Sequence, residues 1–447
     1  MQMRNTVADK IFAYAEKIGR ERISATDSDE LKKRIADSFF VAYGARNSPP
    51  VKIAKSALLP SSSKHNAHLY FSGEDASAET ASFINGTMTR YLDYNDTYLS
   101  KEDAHPSDNI PPIIAYAEAM CMKGKHIINA LMVAYQVQCA LCDAASLRDH
   151  GWDQVTYLSV SSAAGIAALI GLDREKFTHA INLSLSNNIC LRQTRAGELS
   201  MWKGCTAGNA TRNGLFAAVL AGKGLTGPSP IFEGEMGFFK QVSGKFTINL
   251  DRDRIIRTMI KGYPVEYRAT SAVDAAIKLR QSIDASSIKK IVVETFSSAL
   301  RIIIKDPQKL KPKTKETADH SMPYIIAYTM LYGSPTIDSY SKKYLSDRRL
   351  LGLIRKMSFI ESVNYNNIYP SYLPVKITLY TRSKKLSSEV MVPKGHFRYP
   401  YSWDDLQSKG MAIIKNEDSV KSIINTVKSM DERDVSELLE VMKDVDS

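Results

Sequence analysis

The sequence has no run of about 18 consecutive apolar residues, so no membrane-crossing helix is expected. The stretch Met1-Gln2-Met3-Arg4-Asn5-Thr6 lacks the apolar core of a secretory signal and leads into an amphipathic pattern, which predicts a cytoplasmic protein. Cysteine is scarce: five residues, an odd number, argue against a disulfide framework. Cys139 and Cys142 have C-x-x-C spacing, but the motif begins within the apolar run Leu131–Leu141 with no second pair nearby, and reads as buried helix thiols. The three or four positioned thiolates of an iron–sulfur cluster are not visible. Gly222-Lys223-Gly224-Leu225-Thr226-Gly227 formally matches G-x-G-x-x-G, yet it follows a helical pattern and runs into Pro228 and Pro230. A dinucleotide fingerprint needs strand, turn and helix in that order, so the match is rejected. No nucleophile elbow or phosphate loop appears.

What is present is an ordinary folded composition with a net charge of +11 over 447 residues. Such a charge favours anions without naming them. No basic block interleaved with aromatics suggests a nucleic-acid module, and the run Lys305–Lys315, broken by Pro307 and Pro312, reads as a solvated loop. Helical periodicity covers Ala8–Ile18, Leu31–Tyr43, Ala78–Leu92, Ile113–Met122, Ile127–Ser146, Ser159–Ile170 and Phe177–Leu185. Pro49–Pro50 and Ser61–Lys64 read as loops. Near residue 255 the texture changes. Ile288–Phe296, Val375–Tyr380 and Glu389–Val392 read as strands, separated by helices near Ser271–Arg280 and Pro323–Leu331. Helix returns at Asp404–Ile414, Val420–Lys428 and Val435–Met442. The expected fold is mainly α: a large all-helical domain, 1–257 completed by 398–447, with a smaller α+β lid domain at 258–397 inserted.

Two polar clusters stand out. The first is Asp93-Tyr94-Asn95-Asp96-Thr97 followed by Asp103-Ala104-His105-Pro106-Ser107-Asp108-Asn109. Ser107, Asp108 and Asn109 are good helix caps before a proline-containing first turn. Capping does not account for the rest: a His beside carboxylates is an acid–base pair, while several Asp oxygens suit Mg²⁺ or Ca²⁺ without the EF-hand spacing. All three readings stay open on the residues alone. The second cluster places Arg192, Arg195 and Lys203 before a helix, either an ordinary polar loop or a carboxylate-binding surface. Most of the other histidines (65, 68, 126, 150, 179 and 396) read as surface or cap positions. His320 is less easily dismissed, because it adjoins Ser321-Met322-Pro323-Tyr324.

In order along the chain, these clusters resemble the MmgE/PrpD family, which includes 2-methylcitrate dehydratases and cis-aconitate decarboxylases. The landmarks are Asn85-Gly86, Leu92 to Thr97, His105 to Asn109, Met201-Trp202-Lys203-Gly204-Cys205 and Gly208-Asn209-Ala210. They continue with Gly227-Pro228, Phe232-Glu233-Gly234, Tyr263-Pro264-Val265-Glu266-Tyr267, Asp319 to Tyr324 and Pro393-Lys394-Gly395-His396. The resemblance implies a homodimer, catalysis without metal or cofactor, and a small tricarboxylate as the only partner. It maps the family's active site onto Asp93, Thr97, His105, Lys203, Lys261 and Tyr324. The Pro-x-Glu form at Glu266 is similar to the dehydratases, whereas the decarboxylase branch has His there. Arg268 and Gln154 stand where dehydratases commonly have His.

Dehydrating a β-hydroxy tricarboxylate removes a proton beside a carboxylate and expels a tertiary hydroxyl. Charge developing on that carboxylate must be stabilised by fixed cations. Lys203, Lys261 and Arg268 are the expected cations, with Arg192, Glu266 and Ser107 completing the substrate-binding set. One group must take the carbon proton and another must protonate the hydroxyl. His105 is expected to carry one of these roles, with Asp93 as its partner. A decarboxylase or isomerase of a related acid, or a non-catalytic anion-binding scaffold, are the alternatives.

Overall fold

The computed structural model describes residues 6–59, 67–251, 253–443 and 445. Helix dominates them, and the chain divides into two compact units. One is drawn from Met1–Thr194, Gly204–Ile260 and Ser402–Ser447, the other from Arg195–Lys203 and Lys261–Tyr401.

Among the described residues the first unit is built on twelve α-helices, nine of them before residue 223 and three at the C-terminal end. Helix α1 (Val7–Arg20) starts on a reciprocal Thr6–Asp9 capping box and buries Val7, Ala8, Ile11, Ala15 and Ile18, a stripe at helical spacing. It is followed by α2 (Ala25–Ala45), capped by Ser24, and α3 (Pro49–Leu58). Pro49 and Pro50 were expected in a loop. They fill the first turn of α3 instead, where the missing N–H has no intrahelical partner to lose. The expected loop Ser61–Lys64 lies outside the described residues. Then come α4 (Ala78–Tyr91), α5 (Ile110–Ala119), α6 (Gly124–Ala144), α7 (Val155–Ile170), α8 (Arg174–Ser186) and α9 (Trp202–Gly222), which joins this unit from Gly204 on.

Among the described residues α6 is the one helix long and apolar enough to cross a membrane, but 83% of that window is buried inside the protein. It packs against α7, and its Cys139 and Cys142 are fully buried, with burial pushing both thiols well above the usual range. Glycine lets α4 and α9 meet at backbone distance: a Cβ on Gly86 would lie 2.8 Å from Gly208 Cα. The C-terminal helices Trp403–Ile414, Glu417–Lys428 and Val435–Lys443 close the unit. Trp403 Nε1 donates to Asp29 at 2.9 Å, and buried Lys409 bridges Asp37 at 2.5 Å and the Tyr94 carbonyl at 2.9 Å.

The second unit holds a four-stranded sheet in the order Met357–Glu361, Lys290–Thr295, Val375–Tyr380, Lys385–Val390. The first pair is parallel, with Ile291 opposite Met357; the other two are antiparallel, with Val292 opposite Thr378 and Ile377 opposite Ser388. The two inner strands are largely buried, and helix Thr270–Arg280 packs against Val375–Tyr380 and Lys385–Val390. The strand expected at Glu389–Val392 is centred a few residues earlier. Met357–Glu361 had no sequence signal, because an exposed edge strand needs no apolar run.

Candidate active site

The first-unit cluster is organised by a residue the sequence reading passed over. Arg90, in the last turn of α4, is 2% exposed and reaches three members of the cluster. It pairs with Asp93, lies 3.9 Å from Asp108, and its Nη2 donates to His105 Nε2 at 2.9 Å. Its signal was an arginine one helical turn before an acidic residue, the i,i+3 spacing that brings two side chains together. Asp93 has a positive φ of 52°, a left-handed conformation that Asp tolerates better than most residues. It follows Leu92, the C-cap of α4.

The His105 ring is held at both nitrogens. Nδ1 lies 2.7 Å from the Asp96 main-chain oxygen, an acceptor only, so Nδ1 carries the hydrogen and Nε2 the lone pair that Arg90 meets. This tautomer follows from the acceptor's chemistry. Asp96 is fully buried: burial pushes its carboxyl up, opposed by the Ser107 main-chain N–H at 2.9 Å and hydroxyl at 2.7 Å. Tyr135 donates to its other oxygen at 3.0 Å. Asn95 donates to Ser107 and to Asp108, both at 2.9 Å. Ser107 therefore braces the loop. The Thr97 hydroxyl donates to the Ala104 carbonyl at 3.2 Å, while its backbone pairs with Met259. Arg192 is half-buried, its N–H on the Gly151 carbonyl at 3.0 Å, and its charge acts on Glu102. Gln154 precedes α7, 4% exposed, and neither amide atom has a hydrogen-bond partner among the described residues.

The second unit gathers a different set around Asp319, which is fully buried. Asp319 Oδ1 accepts from His320 Nδ1 at 2.6 Å and lies 3.7 Å from Lys203 Nζ; Oδ2 accepts from Lys315 at 2.8 Å. Burial alone would push this carboxyl up. The charges of Lys203, Lys315 and His320 outweigh it and hold Asp319 well below the usual carboxylate range. Lys203 stands in the first turn of α9, 1% exposed, with Nζ 3.3 Å from His320 Nδ1. Lys261 is fully buried and donates to the Val265 carbonyl at 3.3 Å.

Other expected residues of this unit are engaged locally. Glu266 accepts from Arg268 Nη1 at 2.5 Å and from its main-chain N–H at 2.9 Å. Arg268 also donates to Ser298 at 2.7 Å and to Tyr369 at 3.0 Å. The Tyr324 hydroxyl donates to the Ser339 carbonyl at 2.8 Å, and burial followed by neighbouring tyrosines raises its pKa well above the ordinary value. Two readings need correcting. Lys309, placed in a solvated basic loop, is 4% exposed, and burial lowers its pKa against the pull of Asp319, Asp306 and Glu266. His396, taken as a surface or cap position, is fully buried. Neither burial is visible from composition.

Comparison with known proteins adds an independent line. The model of the MmgE/PrpD N-terminal domain matches residues 9–251 and that of the MmgE/PrpD C-terminal domain matches 263–432. A 2-methylcitrate dehydratase of Escherichia coli (strain K12) is 29% identical over 346 residues, 71% of each chain. One from Cupriavidus necator is 28% identical over 350 residues, again 71% of each. A fungal alkylcitrate dehydratase is 25% identical over 352 residues, 71% of this chain and 69% of the relative.

Proposed function

The chain belongs to the MmgE/PrpD family, and from that premise we propose that it is a hydro-lyase that eliminates water from 2-methylcitrate to give 2-methylaconitate. The relatives' names support the reaction class. The observation that carries the chemistry is His105, whose Nδ1 is held on the Asp96 main-chain oxygen so that Nε2 is the nitrogen that exchanges a proton.

In this reading Lys203 and Lys261 bind the substrate carboxylates and stabilise the charge that develops as the carbon proton leaves. His105 takes that proton at Nε2. Its tautomer is right for a base, and Arg90, paired with Asp93, must yield the lone pair when substrate arrives. Thr97 and Ser107 keep the loop in place. Glu266 and Arg268 neutralise one another and serve the site through local structure, as does the Tyr324 hydroxyl. The reading extends to a homodimer acting in the cytoplasm on a free tricarboxylate, without metal or cofactor.

Two variants test the roles. His105→Gln is expected to lower kcat by about 10²–10⁴-fold with little change in substrate affinity, the usual range for an acid–base group. Lys203→Ala is expected to weaken KM and kcat together, because a fixed cation serves both ground and transition states. Near-normal turnover by a folded His105→Gln protein removes His105 from the mechanism.

A further inference from the structure

Elimination needs a proton for the departing oxygen as well as a base for the carbon. We infer that His320, positioned by Asp319, is the general acid that protonates the leaving hydroxyl; this rests on the dehydratase reading above. The 2.6 Å contact between His320 Nδ1 and Asp319 Oδ1 requires a hydrogen between them, and an ionised carboxylate has none to give. The ring therefore donates through Nδ1, and Nε2 is the atom that trades protons. Asp319 is kept ionised by Lys203 and Lys315, and Lys315 holds its second oxygen at 2.8 Å, so the carboxylate is fixed against the ring.

The backbone on either side is fixed as well. The Asp319 N–H donates to the Lys315 carbonyl at 3.0 Å, and the Asp319 carbonyl accepts from Glu266 N–H at 2.8 Å. Ser321 donates its hydroxyl to the Lys309 carbonyl at 2.5 Å. In this rigid frame the His320 side chain keeps 14% of its surface exposed, while the Asp319 and Lys203 side chains keep 0% and 1%. A purely structural ion pair gives no reason for the ring to be the member left in reach of a ligand.

His320 Nδ1 meets the Asp319 carboxylate at 2.6 Å and the Lys203 ammonium at 3.3 Å; of the two only the carboxylate can accept, so the ring's Nδ1 hydrogen is committed to Asp319 and Nε2 is left for the substrate. The step then balances. The general base takes the carbon proton, the C–H electron pair becomes the new C=C bond, and the C–O bond breaks. The oxygen leaves as water with the proton from His320 Nε2. The base afterwards loses its proton to solvent and His320 regains one.

The test uses the leaving group. His320→Asn keeps an amide N–H able to donate to Asp319 while deleting Nε2, and His320→Gln serves as a second variant if that protein does not fold. Both are assayed on 2-methylcitrate and on its analogue with fluorine in place of the hydroxyl, since fluoride departs without a proton. The expected result is a loss of about 10²–10⁴-fold in kcat on 2-methylcitrate and a loss below about tenfold on the fluoro analogue. Equal losses on both substrates, or no loss on either, overturn the role of His320 while the active wild type keeps the dehydratase reading. A wild type that acts on neither compound overturns both.

Discussion

Identical imidazoles are given different work here by what touches them. His105 is fixed by a main-chain oxygen and an arginine, His320 by a carboxylate, and His396 by burial. His396 is the one whose titration reports on stability. Its Nδ1 accepts from the Arg398 N–H at 3.2 Å, and burial, followed by the Arg398 charge, pulls its pKa from 6.5 down to about 4. The folded state thus binds this proton less readily than the unfolded chain. The stability His396 contributes is complete above about pH 6.5 and is lost as pH falls through the window to about 4. Denaturant unfolding at pH 7 and pH 5 is expected to show a wild-type loss about 2 kcal/mol larger than that of His396→Gln. Parallel losses would mean the ring is not buried neutral. At this scale the sequence displayed the chemistry-bearing types in the Asp93–Asn109 cluster, but not their partners. Arg90 looked like one more charge on an amphipathic helix and Lys309 like a residue of a solvated basic loop, because a charged side chain carries no local mark of burial.

Helices carry these residues to their places, and small side chains decide how closely the helices approach. A Cβ on Gly208 in α9 would sit 2.5 Å from the Phe83 carbonyl oxygen and 3.2 Å from the Thr87 nitrogen, both backbone atoms of α4 that cannot swing aside. Gly→Ala in an open helix gains up to about 1 kcal/mol. Here Gly208→Ala is expected to cost about 1–3 kcal/mol, as overpacking does, and to lower activity by shifting the end of α4 that bears Arg90 and Asp93. Equilibrium unfolding checks the first effect and turnover the second; an unchanged or raised stability would show that the α4–α9 contact can relax. Element types were legible wherever burial imposed a period, as in α1 or the inner strand Val375–Tyr380. Legibility failed where burial was partial or chemistry local. The edge strand Met357–Glu361 alternates weakly, and Pro49–Pro50 is equally at home in a loop and in a first helical turn.

For the whole molecule, the net charge of +11 favours the gathering of an anion such as the proposed tricarboxylate, and most of the residues proposed for the chemistry are buried. The mainly helical character was readable from the length and period of the apolar stripes. The return of the chain end to the first unit rests on particular contacts, Trp403 to Asp29 and Lys409 to Asp37, that no local pattern announces. The central claim is the reaction itself. Mass-spectrometric analysis of the products formed from 2-methylcitrate, citrate and cis-aconitate tests it most directly. 2-Methylcitrate is expected to lose one water and yield 2-methylaconitate, with cis-aconitate keeping all three carboxylates. Release of carbon dioxide from cis-aconitate, with 2-methylcitrate left intact, would contradict it.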